Sequence, residues 1–286
     1  MRPVCFALLV SLLSVGCRHN FNWLRLTASD RQIRRSFADA PVQPRIGYLR
    51  SLDRRIRYME IGADSLPVTL LLHGSPSSMV RFRRWFRDSS IYNHTRLVSV
   101  DRPGYGRSGF GRAVPSVARQ AALLAPVLHH FSKNGPVTLL GKSYGGPVAA
   151  KLAMDFPDEV GSLVLLSASV QPAAEDTPAI AHKIVRWPVR WVFPRVGKVA
   201  TREKFKHTQA LEEIRDGWPR IVCPTWVLHG CRDSLIFYSN AEFACRELRN
   251  AHDVTLVAFD SLGHRVYNHA PEAVRQYLLE AVRGRR

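Results

Sequence analysis

One stretch limits the fold of this chain more than any other. The β-capable residues Val137-Thr138-Leu139-Leu140 run into Gly141-Lys142-Ser143-Tyr144-Gly145, and a helix-like segment from Val148 to Met154 follows at once. The order is strand, tight turn, helix. Glycines two before and two after the serine let the chain reverse sharply, so Ser143 takes a strained backbone position with its hydroxyl exposed. The backbone N–H of Tyr144 then lies at a helix N-terminus, where unpaired donors favour developing negative charge. Gly141-Lys142-Ser143 also ends like a phosphate-binding loop. That loop needs a glycine five residues before Gly141; position 136 is proline, and Gly135 is off by one.

Around this stretch, apolar strands alternate with amphipathic helical segments. Ile46–Leu49 and Ile56–Ile61 read as an opening antiparallel pair. Continuous apolar runs at Pro67–Leu72, Arg96–Val100, Gly161–Leu166 and Thr225–Leu228 suit parallel strands covered on both faces. Val254–Phe259 adds one more strand. Helices are expected over Ser77–Tyr92, through Leu123–Phe131, near 239–250 and near 271–283. The expected architecture is α/β: a mostly parallel central sheet flanked by helices.

A serine nucleophile needs a base to take its proton and a carboxylate to orient that base. Downstream of Ser143, Asp233 directly follows a strand and His264 sits in a glycine turn after the next one. In a parallel sheet both positions emerge on the edge that carries Ser143, where open α/β sheets place their ligands. Asp260 is the rival acid, although it stands only four residues before His264. His269 is the rival base, although it falls near the start of the last helix. His73 and His229 each precede a glycine and read as turn-shaping residues.

Taken in order, His73-Gly74-Ser75-Pro76, Asp101-Arg102-Pro103-Gly104-Tyr105-Gly106-Arg107-Ser108, Gly141-Lys142-Ser143-Tyr144-Gly145, His229-Gly230-Cys231-Arg232-Asp233 and Gly263-His264 resemble the motifs of serine hydrolases of the α/β-hydrolase superfamily. The resemblance covers residues 46–283. It implies an α/β-hydrolase fold in which Ser143 is nucleophile, His264 general base and then acid, and Asp233 the orienting acid. It also implies an oxyanion site between the backbone N–H groups of Ser75 and Tyr144. Superfamily members with aspartate at the elbow use other mechanisms, which Ser143 excludes. Cleavage of a carboxylic ester on a small-molecule acyl substrate is the expected activity, and no cofactor or metal motif appears. An aminopeptidase of the proline-iminopeptidase kind is the alternative. It would need acidic groups to hold an amino terminus, for which Glu175, Asp176, Glu203, Glu212, Glu213 and Asp216 are candidates. A non-catalytic envelope protein gripping anionic lipid is a third reading.

With 286 residues and 46% hydrophobic composition, the chain can bury one large core with an insertion. The alternation breaks over 169–220, where prolines recur and basic residues interleave with Trp187, Trp191, Phe193 and Phe205. This stretch is expected as a helical cap between core segments 45–168 and 221–286. The net charge of +18 favours anionic partners, and no zinc-finger, RNA-recognition or basic-zipper pattern points to nucleic acid.

At the N-terminus, Met1-Arg2-Pro3, an apolar run from Val4 to Leu13 and Ser14-Val15-Gly16-Cys17 resemble a bacterial lipoprotein signal over 1–16, with Cys17 as the acylated residue. An ordinary signal peptide is the alternative. Arg18 after the cysteine implies, by that resemblance, the outer membrane, on its periplasmic face. Residues 17–44 then read as a membrane-proximal tether, with Phe21, Trp23 and basic residues suited to headgroups. Cys223 and Cys231 stand roughly 26 Å apart at about 3.3 Å per residue across a strand and cannot pair. Either Cys231 bridges Cys245 or all three late cysteines are free thiols.

Overall fold

The computed structural model describes residues 26–172, 174 and 195–284. Its centre is an eight-stranded sheet: β1 (Arg45–Ser51), β2 (Arg54–Ile61), β3 (Val68–Leu72), β4 (Arg96–Val100), β5 (Val137–Lys142), β6 (Val160–Leu166), β7 (Thr225–Gly230) and β8 (Val254–Phe259). The spatial order is β1-β2-β4-β3-β5-β6-β7-β8. Only β2 runs against the other strands, pairing antiparallel with both β1 and β4. From β4 to β8 every pairing is parallel.

The all-buried strands β3, β5, β6 and β7 explain the apolar runs in the sequence, because both of their faces are covered. Successive side chains point to opposite faces and so divide between two cores. Leu70, Leu72, Leu139, Leu163 and Leu165 meet α3 (Val117–Phe131), α4 (Gly145–Asp155) and α6 (Ser239–Glu247). Leu71, Leu140, Val164 and Leu166 meet Phe82, Trp85, α7 (Val266–His269) and α8 (Pro271–Gly284) on the other face. Lys142 follows Leu140 by two residues and therefore lies on this second face.

Residues 77–92 form two 3-10 turns, Met79–Phe82 and Trp85–Arg87, followed by the short helix α2 (Ser89–Tyr92). The single helix expected there is interrupted for two reasons. The Met79 N–H is committed to Asp101 Oδ1 at 2.9 Å, and Asp88 restarts the chain by accepting from the Ser90 N–H. The apolar spacing survives, since Met79, Phe82, Trp85 and Phe86 are all buried.

The expected tether is not detached over its described part. Ser29 and Gln32 form a reciprocal capping box at α1 (Asp30–Arg35), and Ile33 and Phe37 are fully buried in the second core. Two such side chains stabilise the docked segment by roughly 3–6 kcal/mol before the cost of ordering it. Arg57, buried on β2, bonds the Ala28 carbonyl and Asp30 from below. The hydrophobic spacing of Leu26, Ile33 and Phe37 was the available signal. The signal segment 1–16 and Cys17 lie outside the described residues, as do Trp187, Trp191 and Phe193. Among the described residues no helix is long and apolar enough to cross a membrane.

Between β6 and β7 the chain forms α5 (Arg195–Glu212) and a 3-10 turn, Arg215–Arg220. Leu211, Ile214 and Trp218 join the first core, so the end of the expected cap is part of the hydrophobic body. Cys223, Cys231 and Cys245 are free thiols.

Candidate active site

The loops that follow β3, β5, β7 and β8 emerge on one sheet edge because those strands are parallel. They carry residues 73–78, Ser143 and His264 to a single cleft of about 730 Å³, lined by Gly74, Ser75, Lys142, Ser143 and His264 among others, with Asp233 buried against His264.

Ser143 has φ of 53°, a left-handed conformation that costs a non-glycine residue about 1–3 kcal/mol and needs enforcing. Two contacts enforce it. The Ser143 N–H donates to the Leu166 carbonyl at 3.0 Å, and its own carbonyl accepts from the Gly146 N–H at 2.8 Å. The flanking glycines are required by space: a Cβ on Gly141 would lie 2.5 Å from the Gly145 carbonyl oxygen, and one on Gly145 would lie 2.3 Å from the Leu72 carbonyl oxygen.

Asp233 is buried, with each oxygen committed. Oδ1 accepts from the Leu235 N–H at 2.9 Å and the Ile236 N–H at 2.8 Å, while Oδ2 meets His264 Nδ1 at 2.8 Å. Burial alone would raise its pKa. Hydrogen bonding from histidine and the Ile236 N–H outweighs that and holds the carboxyl well below the usual range. His229 Nε2 stands 3.5 Å from Oδ2, but its close bond is to the Ile236 carbonyl at 2.9 Å, so it shapes this turn. Facing an ionised Asp233, Nδ1 of His264 carries the proton, which leaves Nε2 as the basic nitrogen. The His264 pKa is lowered, mainly by burial and further by Lys142; the hydrogen bond to Asp233 acts in the opposite sense. Neither rival reaches this arrangement. Asp260 is exposed and meets Cys231 Sγ at 3.5 Å, and His269 is exposed at the end of α7.

Neither the Ser75 nor the Tyr144 backbone N–H donates to another described residue. The Ser75 loop is braced from behind. His73 Nδ1 donates to the Gly74 carbonyl at 2.7 Å and its Nε2 accepts from the Arg102 N–H at 3.0 Å, so both ring nitrogens are occupied. Ser75 Oγ meets the Tyr105 hydroxyl at 2.7 Å, which donates to Glu203 Oε2 at 2.5 Å. Glu203, on α5, also takes Arg102 Nη1 at 2.9 Å and Gln120 Nε2 at 2.8 Å, and all of these groups are buried. Asp101 ties this region together: it holds Arg57 at 2.7 Å and the N–H groups of Met79 and Arg107.

Sequence reasoning missed two features. The Arg102–Glu203 contact joins residues 101 apart in sequence, beyond any local pattern. Lys142 entered the sequence reading only within the serine motif and the excluded phosphate-loop match, with no role of its own. It is 5% exposed, lines the cleft, and burial, with Arg81 and Arg265 nearby, brings its pKa down to about 7 against the opposing pull of Asp233. Among the described residues, no group of three or more His, Cys, Asp or Glu is placed to hold a metal ion.

The alpha/beta hydrolase fold family matches residues 67–202. The chain is 30% identical over 133 residues to the pimeloyl-[acyl-carrier protein] methyl ester esterase of Aeromonas salmonicida, a stretch covering 42% of this chain and 49% of that protein. It thus spans about half the length of that relative. It is 26% identical over 226 residues to lipase LipV of Mycobacterium tuberculosis, covering 67% of this chain and 85% of that one. Among solved structures, a membrane phospholipase A described as a bacterial virulence factor is similar with a TM-score of 0.65 at 24% identity, covering 99% of both chains.

Proposed function

Because this chain is an α/β-hydrolase-fold protein, we propose that it is a serine hydrolase cleaving carboxylic esters through an acyl-enzyme on Ser143. The observation that carries the reading is the Asp233–His264 pair, 2.8 Å between Oδ2 and Nδ1, whose histidine lines one cleft with a serine held at positive φ. The named activities of the esterase and lipase relatives support ester chemistry.

In this mechanism Ser143 Oγ attacks the acyl carbon while His264 Nε2 takes its proton. The carbonyl electron pair moves onto oxygen, which the Ser75 and Tyr144 N–H groups receive; one such donor is worth about 2.7–4 kcal/mol in the transition state. Asp233 stabilises the imidazolium without itself taking the proton. His264 then protonates the departing alkoxide, water replaces it, and the same groups act in reverse order to release the acid.

An aminopeptidase finds less support. Glu203 is spent on Arg102, Tyr105 and Gln120, and Glu212, Glu213 and Asp216 are exposed. Glu175 and Asp176 lie outside the described residues. As part of the same proposal, Cys17 carries a lipid that holds the protein at the outer membrane, where the excess positive charge suits anionic headgroups. Likeness along nearly the whole chain to a membrane phospholipase A supports that placement. The test is a series of aryl esters of increasing chain length set beside aminoacyl amides. Turnover of esters with a pre-steady-state burst is expected; cleavage of the amides alone would remove ester hydrolysis.

A further inference from the structure

The cleft wall holds a cation that no described residue pairs with. Lys142 is 5% exposed, and its ammonium makes no hydrogen bond or ion pair with any described residue. A buried lysine kept for structure would carry a carboxylate partner, since an unpaired buried charge is costly. Asp233 is the one carboxylate whose field acts on it, and both Asp233 oxygens are already committed to Leu235, Ile236 and His264. Period-two alternation places Lys142 on the sheet face of Phe82 and Tyr267, beside Ser143 rather than behind it.

Five arginines line the same cleft, and Arg81 and Arg265 are the two whose charge acts on Lys142. Arg81 lies over the Tyr267 ring at 5.6 Å and donates to Asn268 Oδ1 at 2.7 Å, with no carboxylate partner. Arg265, next to His264, lines the cleft and makes no ion pair among the described residues. No acidic side chain lines this cleft among the described residues. By contrast Arg87, at its margin, is matched by Asp39.

We propose that Lys142, with Arg81 and Arg265, forms an anion subsite beside Ser143, and that the substrate is an ester carrying a second group with anionic oxygens, a carboxylate or a phosphate. This rests on the serine-hydrolase reading for the reaction but not for the binding. Burial and the neighbouring arginines disfavour the Lys142 ammonium, and an anion bound beside it would favour the charged form.

Two matched pairs of esters distinguish the sources of the anion. Monomethyl adipate against methyl hexanoate places a carboxylate on the acyl side. Monohexanoyl glycerol 3-phosphate against monohexanoylglycerol places a phosphate on the alcohol side. In at least one pair kcat/KM for the anionic member is expected to exceed that of its neutral partner on the order of ten-fold or more, as a charge-assisted contact provides. Lys142→Met brings that ratio close to one, and Arg265→Gln, at an exposed position where folding is not at stake, lowers it in part. Independently, calorimetric binding of the preferred anionic ester to the Ser143→Ala protein should be lost when Lys142→Met is added. A ratio of one or less in both pairs, or one unmoved by both substitutions, overturns the subsite while leaving ester hydrolysis intact. Should no ester be turned over, Lys142-dependent binding to Ser143→Ala sustains the subsite and sinks the serine reading; absence of such binding sinks the subsite too.

Discussion

Arg102 and Lys142 are both buried cations at the same sheet edge, one just past β4 and the other ending β5, yet their surroundings are opposite. Arg102 is enclosed by Glu203, Gln120 and the carbonyls of His73 and Gly74. Its pKa is raised: burial would lower it, and the neighbouring Glu203 more than compensates. Lys142 has no such partner among the described residues, and its pKa falls to about 7. A cation with its charge balanced inside the fold belongs to the scaffold that holds the Ser75 loop. One left unbalanced at the cleft wall is available to a ligand.

Removing the balancing partner is the harshest way to probe this contrast. Glu203→Ala strands Arg102 as an uncompensated buried charge and should destabilise the protein by about 3–5 kcal/mol in denaturant unfolding. The double variant Arg102→Met/Glu203→Met should recover most of that loss. Equal loss in the double variant would mean that the pair contributes through shape rather than charge balance.

Lys142→Met should do the reverse, leaving stability at neutral pH unchanged or raised. The folded pKa near 7 lies below lysine's ordinary 10.5, so between these values the unfolded chain binds the extra proton. Wild-type stability therefore gains up to about 1.36 kcal/mol per pH unit from this group as pH rises through that window. In Lys142→Met that contribution disappears, so wild type gains stability relative to the variant as pH rises. Comparing unfolding midpoints across the window checks the sign.

The same charge reaches the base. His264 titrates below the ordinary 6.5, so kcat/KM should climb with pH through a midpoint under that value. Lys142→Met removes one of the lowering influences and should move the midpoint up by less than about one unit. The smallest effect is expected from Ser75→Ala, which deletes the Oγ contact to Tyr105 but keeps the backbone N–H. A neutral hydrogen bond of about 1 kcal/mol corresponds to a loss of kcat/KM below about ten-fold.

Much of this architecture was readable from the chain because it is local. Four strands buried on both faces appear as unbroken apolar runs; Ser143 and Asp233 follow two of them and His264 follows the partly exposed edge strand β8, so parallel pairing brings all three to one edge. Residues 77–92 kept their apolar spacing but lost their helix to a side chain 22 positions away, Asp101 on Met79. Residues 26–44 read as a tether because charge surrounds their few apolar anchors, Leu26, Ile33 and Phe37. The Arg102–Glu203 pair and the solitude of Lys142 depend on which distant groups share a space, and no spacing rule encodes that. The pairing of Cys231 was open in sequence; the fold leaves it a free, exposed thiol near Asp260.

The most direct measurement is intact-protein mass after exposure to a fluorophosphonate, with wild type beside Ser143→Ala and Asp233→Asn. A single adduct on wild type, none on Ser143→Ala, and labelling slowed by orders of magnitude in Asp233→Asn is the predicted result. A folded wild type that takes no adduct, or a Ser143→Ala protein that still does, would contradict the assignment of Ser143 as the activated nucleophile.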